Sequence, residues 1–246
     1  MNKTVIIIPA RYGSTRLPAK PLLKVNNKPI IQYVYEAAKK SKLADAVIVA
    51  TDDERIKLAV EEFGGVCEMT SAEHKCGSDR IAEVVSRHME FDNILNLQGD
   101  EPQITPEVID LAINALTNDK TADISTLVRE IKDENQINNP NCVKCVFDNN
   151  NNALYFSRCP IPYKRNPNES PYYAHIGIYC YKKDSLIKMT KMNQTNLEKQ
   201  ESLEQLRALQ NGMKIKVAIT DLNPVGIDTM EDYEKFKSIV ENSWLN

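Results

Sequence analysis

The loop after the first apolar run of the chain concentrates groups that bind phosphate. Its cations, glycine and hydroxyls are Arg11, Gly13, Ser14, Thr15, Arg16 and Lys20. Arginine forks and a lysine ammonium suit the oxygens of a polyphosphate, and the glycine lets the backbone approach them closely. The loop matches neither of the common phosphate motifs, G-x-x-x-x-G-K-[ST] and G-x-G-x-x-G. An isolated basic loop would be read as solvated surface, but three cations at the exit of a strand predict a polyphosphate site.

Two carboxylates in distant segments are suited to hold one divalent cation together. Asp100 follows the apolar run that begins at Asn93, and Asp228 lies just before the last helical segment. Mg²⁺ prefers one or two protein carboxylates and keeps phosphate oxygens and waters as its other ligands. Each segment also has a simpler interpretation. Asp100 can be a solvated turn residue, and Thr229 with Asp232 resembles a capping box, beside which Asp228 merely favours the start of a helix.

Further polar segments suit a base and an acidic sugar. The segment His74–Arg80 precedes a helix, whose first N–H groups can bind an anion or the polar edge of a base, although alone it is better explained as an ordinary Ser or Asp cap. The segments Tyr155–Arg158, His175–Tyr179 and Leu203–Arg207 supply Arg, His, Tyr, Glu and Gln side chains for a polyhydroxylated acid. Nothing in their local sequence shows that they converge.

These residues need a scaffold that brings the ends of strands together, and the hydrophobic periodicity predicts one. Over the first half of the chain we predict strands at 4–9, 46–51, 66–69, 93–98 and 123–128, and helices at 29–41, 53–63, 78–88 and 106–116. This alternation predicts an α/β fold in which helices cover both faces of a parallel or mostly parallel sheet.

The second half of the chain has a different rhythm. Residues 142–147 and 153–157 flank an asparagine-rich turn and predict an antiparallel hairpin. The proline-containing stretch 158–173 predicts a loop, and it is followed by a strand at 176–181, a helix at 197–209, a strand at 214–219 and a helix at 230–240. Because the sequence shows neither an internal repeat nor a long linker, we predict one domain over 1–246 with a β-rich insertion at about 140–181.

The composition excludes several classes of protein. The 246 residues suit one large domain, and a net charge of −3 without a basic block argues against nucleic-acid binding. No apolar run is long enough to cross a bilayer and no signal pattern is evident, so we expect a cytoplasmic protein that does not engage a membrane. Cys142 and Cys145 form a C-x-x-C pair. They would point to opposite faces of a strand and lack further zinc ligands, so a redox or zinc role is the least favoured reading.

The order of motifs resembles one family along nearly the whole chain. The motifs are Arg11–Leu22, Ala50–Asp52, Cys76–Arg80, Gln98–Pro102, Tyr155–Arg158, His175–Tyr179, Leu203–Arg207 and Gly226–Thr229. Together they resemble 3-deoxy-manno-octulosonate cytidylyltransferase, the CMP-Kdo synthetase of bacterial lipopolysaccharide synthesis. Cys76 departs from the pattern, in which a small Ser is usual, and a thiol there would make its loop sensitive to oxidation.

The resemblance implies a function and a fold. It implies a three-layer α/β/α fold like that of the nucleotide-diphospho-sugar transferases, and a homodimer that the hairpin lobe helps to form. It implies transfer of CMP from CTP to the anomeric hydroxyl of 3-deoxy-D-manno-octulosonate (Kdo), with release of pyrophosphate and with Mg²⁺ as cofactor. A second ion riding on the β- and γ-phosphates near Lys20 would complete a two-metal arrangement.

The resemblance also assigns roles to individual residues. Nucleotide binding is implied for Ala10, Arg11, Gly13, Ser14, Lys20, Gly77, Ser78, Arg80 and Gln98. Contact with Kdo is implied for Gln98, Arg158, His175, Tyr179, Glu204 and Gln205, with Arg158 pairing the sugar carboxylate. Catalytic roles are implied for Arg11, Lys20, Asp100 and Asp228, the two aspartates being the metal ligands.

Three other functions remain open at this stage. A sister nucleotidyltransferase would use 8-amino-Kdo, sialic acid or another sugar acid in place of Kdo. A glycosyltransferase would transfer the sugar from CMP-sugar to an acceptor without releasing pyrophosphate. A regulator would bind CTP without turnover, but the presence of both candidate aspartates argues against it.

Overall fold

The computed structural model describes residues 2–13, 17–166, 171–222 and 226–242. Its strands are β1 (Thr4–Ala10), β2 (Lys24–Val25), β3 (Lys28–Pro29), β4 (Ala46–Thr51), β5 (Cys67–Met69), β6 (Asn93–Asn96), β7 (Ile124–Glu130), β8 (Lys144–Phe147), β9 (Ala153–Ser157), β10 (Tyr173–Lys182) and β11 (Ile215–Ile219). Its α-helices are α1 (Ile30–Lys39), α2 (Glu54–Glu62), α3 (Gly77–Arg87), α4 (Pro106–Thr117), α5 (Asn135–Asn138), α6 (Lys183–Thr190), α7 (Asn196–Glu201), α8 (Gln205–Gln210) and α9 (Met230–Asn242), and a 3₁₀-helix covers Lys20–Leu22.

The chain folds into two compact units. One contains residues 1–110 and 224–246, and the other contains residues 111–223. In the described ranges, none of the helices is both long and apolar enough to cross a bilayer.

The first unit is built on a parallel sheet. Its strands lie in the order β6-β1-β4-β5, and each neighbouring pair is parallel. The apolar run of β1 is almost completely buried, from Val5 at 1% exposure to Ile8 at 0%, as expected for a strand covered on both faces. Helix α1 buries Ile30, Ile31 and Val34 at helical spacing. The predicted α/β class with parallel strands is confirmed.

The exits of β1 and β6 run close together. The N–H of Leu97 donates to the carbonyl of Ile7 over 3.1 Å, which continues the pairing beyond the end of β6. At Gly99, an added Cβ would lie only 3.2 Å from the backbone oxygen of Pro9. Glycine therefore suits the close approach of the loop after β6 to β1, and Asp100 follows it directly.

A hydrophobic cluster in the same unit fastens helix α9 to the segment between residues 17 and 30. Its buried members are Leu17, Val25, Ile30, Ile227 and Phe236. The Tyr33 and Phe236 rings pack edge to face with centroids 5.2 Å apart. The Tyr233 hydroxyl donates to the carbonyl of Lys24 over 2.7 Å. This cluster holds the 3₁₀-helix that carries Lys20 and the loop that carries Asp228.

The second unit combines both strand directions. Strand β7 pairs antiparallel with β10 and parallel with β11. Strands β8 and β9 form the predicted antiparallel hairpin, in which Asn151 adopts a positive φ of 58°. Asparagine tolerates this left-handed conformation better than most residues do.

Several sequence-based boundaries in this unit were wrong. The helix predicted at 197–209 is two helices, α7 and α8, because Ser202 ends α7 in the left-handed region with φ 52°. The hairpin strand predicted from Cys142 begins at Lys144, since the Cys142 N–H closes a turn onto the carbonyl of Asn139. Helix α6 was not predicted, and β10 starts at Tyr173, three residues before the predicted boundary.

Candidate functional site

A polar cavity opens in the first unit where β1 and β6 end. It has a volume of about 410 Å³ and is lined by Pro9, Ala10, Arg11, Gly13, Lys20, Pro21, Gln98, Gly99, Asp100 and Asp228. The sequence singled out seven of these residues, and the fold brings them together near the carboxyl ends of β1 and β6. Open α/β sheets bind their ligands at this edge. Ser14, which the resemblance assigns to the nucleotide, lies outside the described residues.

Lys20 is the centre of this cavity. Its ammonium lies 2.5 Å from Asp100 Oδ2 and 3.1 Å from Asp228 Oδ1. The lysine side chain is 11% exposed, whereas those of Asp100 and Asp228 are 30% and 46% exposed. A buried cation is thus paired with two carboxylates that remain open to the cavity.

The backbone before Lys20 explains how the side chain is presented. The N–H of Ala19 donates to the carbonyl of Tyr12 over 3.0 Å and closes the base of the predicted phosphate-binding loop between these two residues (the phosphate loop). Ala19 itself is left-handed, with φ 56° and ψ 20°, and precedes the 3₁₀-helix that begins at Lys20. Pro21 at the next position suits the first turn of a helix, because its missing N–H is not needed there.

The structure separates the two interpretations of Asp228. Thr229 and Asp232 form the predicted helix cap: Asp232 Oδ2 accepts from the Thr229 N–H at 2.9 Å, and the Asp232 N–H donates to the Thr229 hydroxyl at 3.2 Å. The Asp228 carboxylate is therefore not needed as the cap and reaches Lys20. The N–H of Ile227 donates to the Asp100 carbonyl over 2.9 Å, so the two aspartate loops are joined directly.

The carboxylate pair fits the chemistry of a magnesium site. Two carboxylates from separate loops converge on one cation, the ammonium of Lys20. Among the described residues, no group of three His, Cys, Asp or Glu side chains could hold a metal ion alone. Mg²⁺ does not need such a group, because it commonly takes one or two protein carboxylates and fills its shell with phosphate oxygens and water. Asp100 and Asp228 are the residues that would hold it.

Glu101 is a feature of this site that the sequence did not assign. Burial, followed by the repulsion of Asp100, raises the pKa of Glu101 to about 8. Its Oε2 atom is buried and has no hydrogen-bond partner in the described part of the chain. Glu101 is therefore mainly protonated at neutral pH. The adjacent Asp100 and Glu101 indicated an acidic turn in the sequence, but not that the Glu101 carboxyl is buried and protonated.

The predicted base-binding residues lie on helix α3. An added Cβ at Gly77 would lie 3.4 Å from the Pro9 side chain, so Gly77 packs beside the cavity wall. Arg80 is 1% exposed, donates to Thr70 Oγ1 at 2.5 Å and lies 3.3 Å from Asp52 Oδ2. As far as the structure describes it, the cavity lining contains neither Ser78 nor Arg80. Here Arg80 fixes the start of α3 against the ends of β4 and β5.

In the second unit, two predicted sugar-binding residues meet on β10. The rings of His175 and Tyr179 lie 5.3 Å apart, and Phe156 packs against His175 at 5.0 Å. Burial lowers the pKa of His175 to about 3, so its ring is neutral. Burial, then Tyr181 and Glu204, raise the pKa of Tyr179 well above its usual value, so the phenol keeps its proton. The pair can exchange hydrogen bonds with hydroxyl groups but offers no charge.

Arg158, the predicted carboxylate partner, is held by groups that the sequence did not signal. Its Nε donates to the Glu201 carbonyl at 2.7 Å, and its Nη1 donates to the Pro140 carbonyl at 2.9 Å. The Glu201 carboxylate accepts from the Arg158 N–H at 3.0 Å and from the Ser157 hydroxyl at 2.6 Å. Since a guanidinium carries five N–H bonds, it retains donors for a ligand carboxylate.

Lys144, inside the β8–β9 hairpin, contacts the backbone at Arg158. Its side chain is completely buried, and its ammonium donates to the carbonyls of Asn139, Cys142 and Arg158 at 2.6–3.0 Å. Burial lowers the pKa of this lysine. A lysine on a strand gives no sequence signal for such a role, because most lysines are solvated.

The remaining predicted residues begin helix α8. Glu204 acts on the Tyr179 phenol electrostatically, and Gln205 is buried with no described hydrogen-bond partner for its Nε2 atom. The six cysteines are all free thiols. Burial raises the pKa of Cys142 and Cys145, which keeps both thiols protonated and makes them poor redox groups.

Comparison with known proteins gives a consistent result. The cytidylyltransferase family profile matches residues 5–215. A 3-deoxy-manno-octulosonate cytidylyltransferase from Thermodesulfovibrio yellowstonii is 50% identical over 94% of this chain and 95% of its own length. An 8-amino-3,8-dideoxy-manno-octulosonate cytidylyltransferase from Shewanella pealeana is also 50% identical, over 94% of this chain and 96% of its own length.

A solved structure shows the same likeness. A CMP:2-keto-3-deoxy-manno-octonic acid synthetase complexed with CTP is 41% identical, with a TM-score of 0.95 over 98% of this chain and 100% of its own. This similarity confirms the nucleotidyltransferase fold that the sequence resemblance implied.

Proposed function

Because the chain belongs to the cytidylyltransferase family, we propose that it transfers CMP from CTP to the anomeric hydroxyl of Kdo and releases pyrophosphate. The observation that carries the proposal is the convergence of Asp100 and Asp228 on the Lys20 ammonium, inside a cavity that Arg11 and Gly13 also line. Nucleotidyl transfer depends on positioning and on neutralising phosphate charge, and this arrangement provides both.

The first unit supplies the groups that a nucleoside triphosphate needs. Arg11 and Lys20 neutralise the triphosphate and the pyrophosphate that leaves, while Gly13 allows the ligand to approach the backbone. Mg²⁺ held by Asp100 and Asp228 would offset phosphate charge and lower the pKa of the attacking hydroxyl. Lys20 keeps both carboxylates turned into the cavity before a nucleotide binds.

The second unit supplies the groups that an acidic sugar needs. Arg158 offers charge-assisted hydrogen bonds to a carboxylate, and the Glu201 and Pro140 carbonyls fix its orientation. His175 and Tyr179 are uncharged at neutral pH, which suits contacts with the hydroxyl groups of the sugar. We further propose, on the resemblance, that the enzyme is a cytoplasmic homodimer of lipopolysaccharide synthesis.

A pyrophosphate-release assay tests the reaction. The enzyme is incubated with CTP, Kdo and Mg²⁺, and parallel reactions omit one component or replace CTP by UTP or ATP. Release that requires CTP, Kdo and metal together supports the proposal. CTP binding without release with any sugar acid would contradict it and favour the regulator.

The sugar is tested by competition. The relative named for 8-amino-3,8-dideoxy-manno-octulosonate is as similar as the one named for Kdo, so this amino sugar is the second candidate. The ratio of kcat/KM for the two sugars, with sialic acid as a third, identifies the substrate. A preference for the amino sugar would replace Kdo in the proposal and leave the reaction unchanged.

Site-directed variants test the carboxylate pair. Asp100→Asn and Asp228→Asn should each lower kcat by at least about 100-fold, because each removes a charge from the cavity. Asp221→Asn, at an exposed position, is the matched control and should keep wild-type activity. Wild-type turnover in either cavity variant would refute the roles given to the aspartates.

A further inference from the structure

The side chain of Thr126 occupies an irregular point of the second unit's sheet. Thr126 lies on β7 opposite Tyr179, and the pairing of β7 with β10 shifts register between Ile176 and Tyr179. The threonine is completely buried, and its Oγ1 atom lies 3.2 Å from the Ile176 carbonyl oxygen and 2.8 Å from that of Ile178. The same atom lies 2.9 Å from Nε2 of His175.

These three contacts determine where the protons lie. A hydroxyl has one proton to donate and lone pairs with which to accept, whereas a carbonyl oxygen only accepts. If the Thr126 proton were given to His175, both carbonyls would face an oxygen lone pair. When the hydroxyl donates to the nearer carbonyl, that of Ile178, its oxygen accepts from Nε2–H of His175, and only the Ile176 carbonyl at 3.2 Å receives no proton from Thr126.

The proton arrangement leaves one acceptor on the histidine ring. A neutral imidazole that carries its proton on Nε2 keeps a lone pair on Nδ1. Burial lowers the pKa of His175 to about 3, so the ring stays neutral at physiological pH. The ring packs against those of Phe156 and Tyr179, which limits its rotation.

Space for a ligand lies next to this ring. His175, Gly177 and Tyr179 alternate along the half-buried face of β10, while the residues between them are buried. An added Cβ at Gly177 would meet no described atom within 4 Å. The glycine therefore leaves free space on the face of β10 that carries the His175 and Tyr179 side chains.

We propose that Thr126 is a positioning residue that fixes His175 as the Nε2–H tautomer, so that its Nδ1 accepts a hydrogen bond from a hydroxyl of the acidic sugar. The inference rests on the proposed function and deepens it. It makes this point of the site selective for a ligand that donates a hydrogen bond.

The tautomer is tested directly by ¹⁵N nuclear magnetic resonance of the ligand-free enzyme. The chain has three histidines, so assignment by substitution is practical. At neutral pH, His175 should show a protonated Nε2 and an unprotonated Nδ1. Thr126→Ser keeps the hydroxyl and should keep this pattern, whereas Thr126→Val should lose it or mix the tautomers. A protonated Nδ1 or an imidazolium in the wild type would overturn the proposal.

Kinetics test the consequence for the sugar. Thr126→Val should raise KM for Kdo about fivefold, which corresponds to one neutral hydrogen bond, while KM for CTP stays unchanged. Thr126→Ser should restore the wild-type value, and a thermal unfolding curve for each variant separates this effect from lost stability. If Thr126→Val does not fold, the ¹⁵N spectra of the wild type and Thr126→Ser still decide the tautomer. The spectra could show the predicted tautomer although the enzyme turns over no sugar acid. That result would refute the proposed function and the sugar contact, but not the proton arrangement.

Discussion

Ala19 holds a backbone conformation that glycine adopts more readily, and this gives a test of how Lys20 is presented. The residue has φ 56° and ψ 20° and lies between the phosphate loop and the 3₁₀-helix that begins at Lys20. We expect Ala19→Gly to stabilise the protein. Ala59→Gly, in the middle of helix α2, is the same chemical change in a right-handed helix and serves as the matched control.

The expected magnitudes follow from the two conformations. A left-handed backbone costs an alanine roughly 1–2 kcal/mol, which glycine would not have to overcome. The greater freedom of glycine in the unfolded chain offsets about 0.4–1 kcal/mol of this gain in stability. Ala19→Gly should thus gain about 0.8 kcal/mol, or roughly 2–3 °C in Tm for a protein of this size. Ala59→Gly should lose about 1 kcal/mol.

Urea denaturation and thermal unfolding of the two variants and the wild type measure these changes. A gain in the free energy of unfolding for Ala19→Gly and a loss for Ala59→Gly would support the left-handed conformation at position 19. If Ala19→Gly is destabilised as much as Ala59→Gly, residue 19 is not left-handed and the account of the Lys20 backbone is wrong. Pyrophosphate release by Ala19→Gly shows whether the relaxed backbone still presents Lys20 to the nucleotide.

Three further predictions concern other parts of the first unit. Gly99→Ala should lower the free energy of unfolding by about 1–3 kcal/mol, because the new methyl group would lie 3.2 Å from the Pro9 backbone oxygen; unchanged stability in urea would contradict that close approach. Asp232→Ala should lower stability by about 1 kcal/mol through loss of the α9 cap, and an unaltered denaturation midpoint would show that the cap is not needed. The hydrogen bond to Glu68 raises the pKa of His88, so its stabilisation is present below pH 6.5 and is lost as pH rises through the raised pKa. His88→Gln should flatten this part of the stability profile, and identical profiles would refute the linkage.

The sequence predicted the framework of the first unit well because its signals are local. The apolar run at Val5–Ile8 marks a buried strand, and the spacing of Ile30, Ile31 and Val34 marks a helix face. The break between α7 and α8 was missed for the opposite reason. Ser202 has no sequence feature that demands a left-handed conformation, and only the folded context places it there.

The candidate site likewise contains residues that the sequence identified and supporting contacts that it did not. Residue type and position made Lys20, Asp100 and Asp228 candidates, and the family resemblance was needed to predict that they act together in one cavity. The supporting contacts were not predictable, since they depend on which side chains the fold buries. Lys144 donates to three carbonyls inside the hairpin, and Thr126 on β7 contacts His175 on the neighbouring strand β10. Neither residue belongs to a recognisable sequence motif.

The contact between Lys20 and Asp228 joins residues 208 positions apart, and this separation has a consequence for synthesis of the protein. A ribosome delivers the phosphate loop and Asp100 first and then the 111–223 unit, and only afterwards Asp228 and helix α9. Until then the chain lacks the second carboxylate that contacts Lys20 and also lacks helix α9. With the role proposed for Asp228, we expect chains that stop before that residue to be inactive even where their parallel sheet has formed.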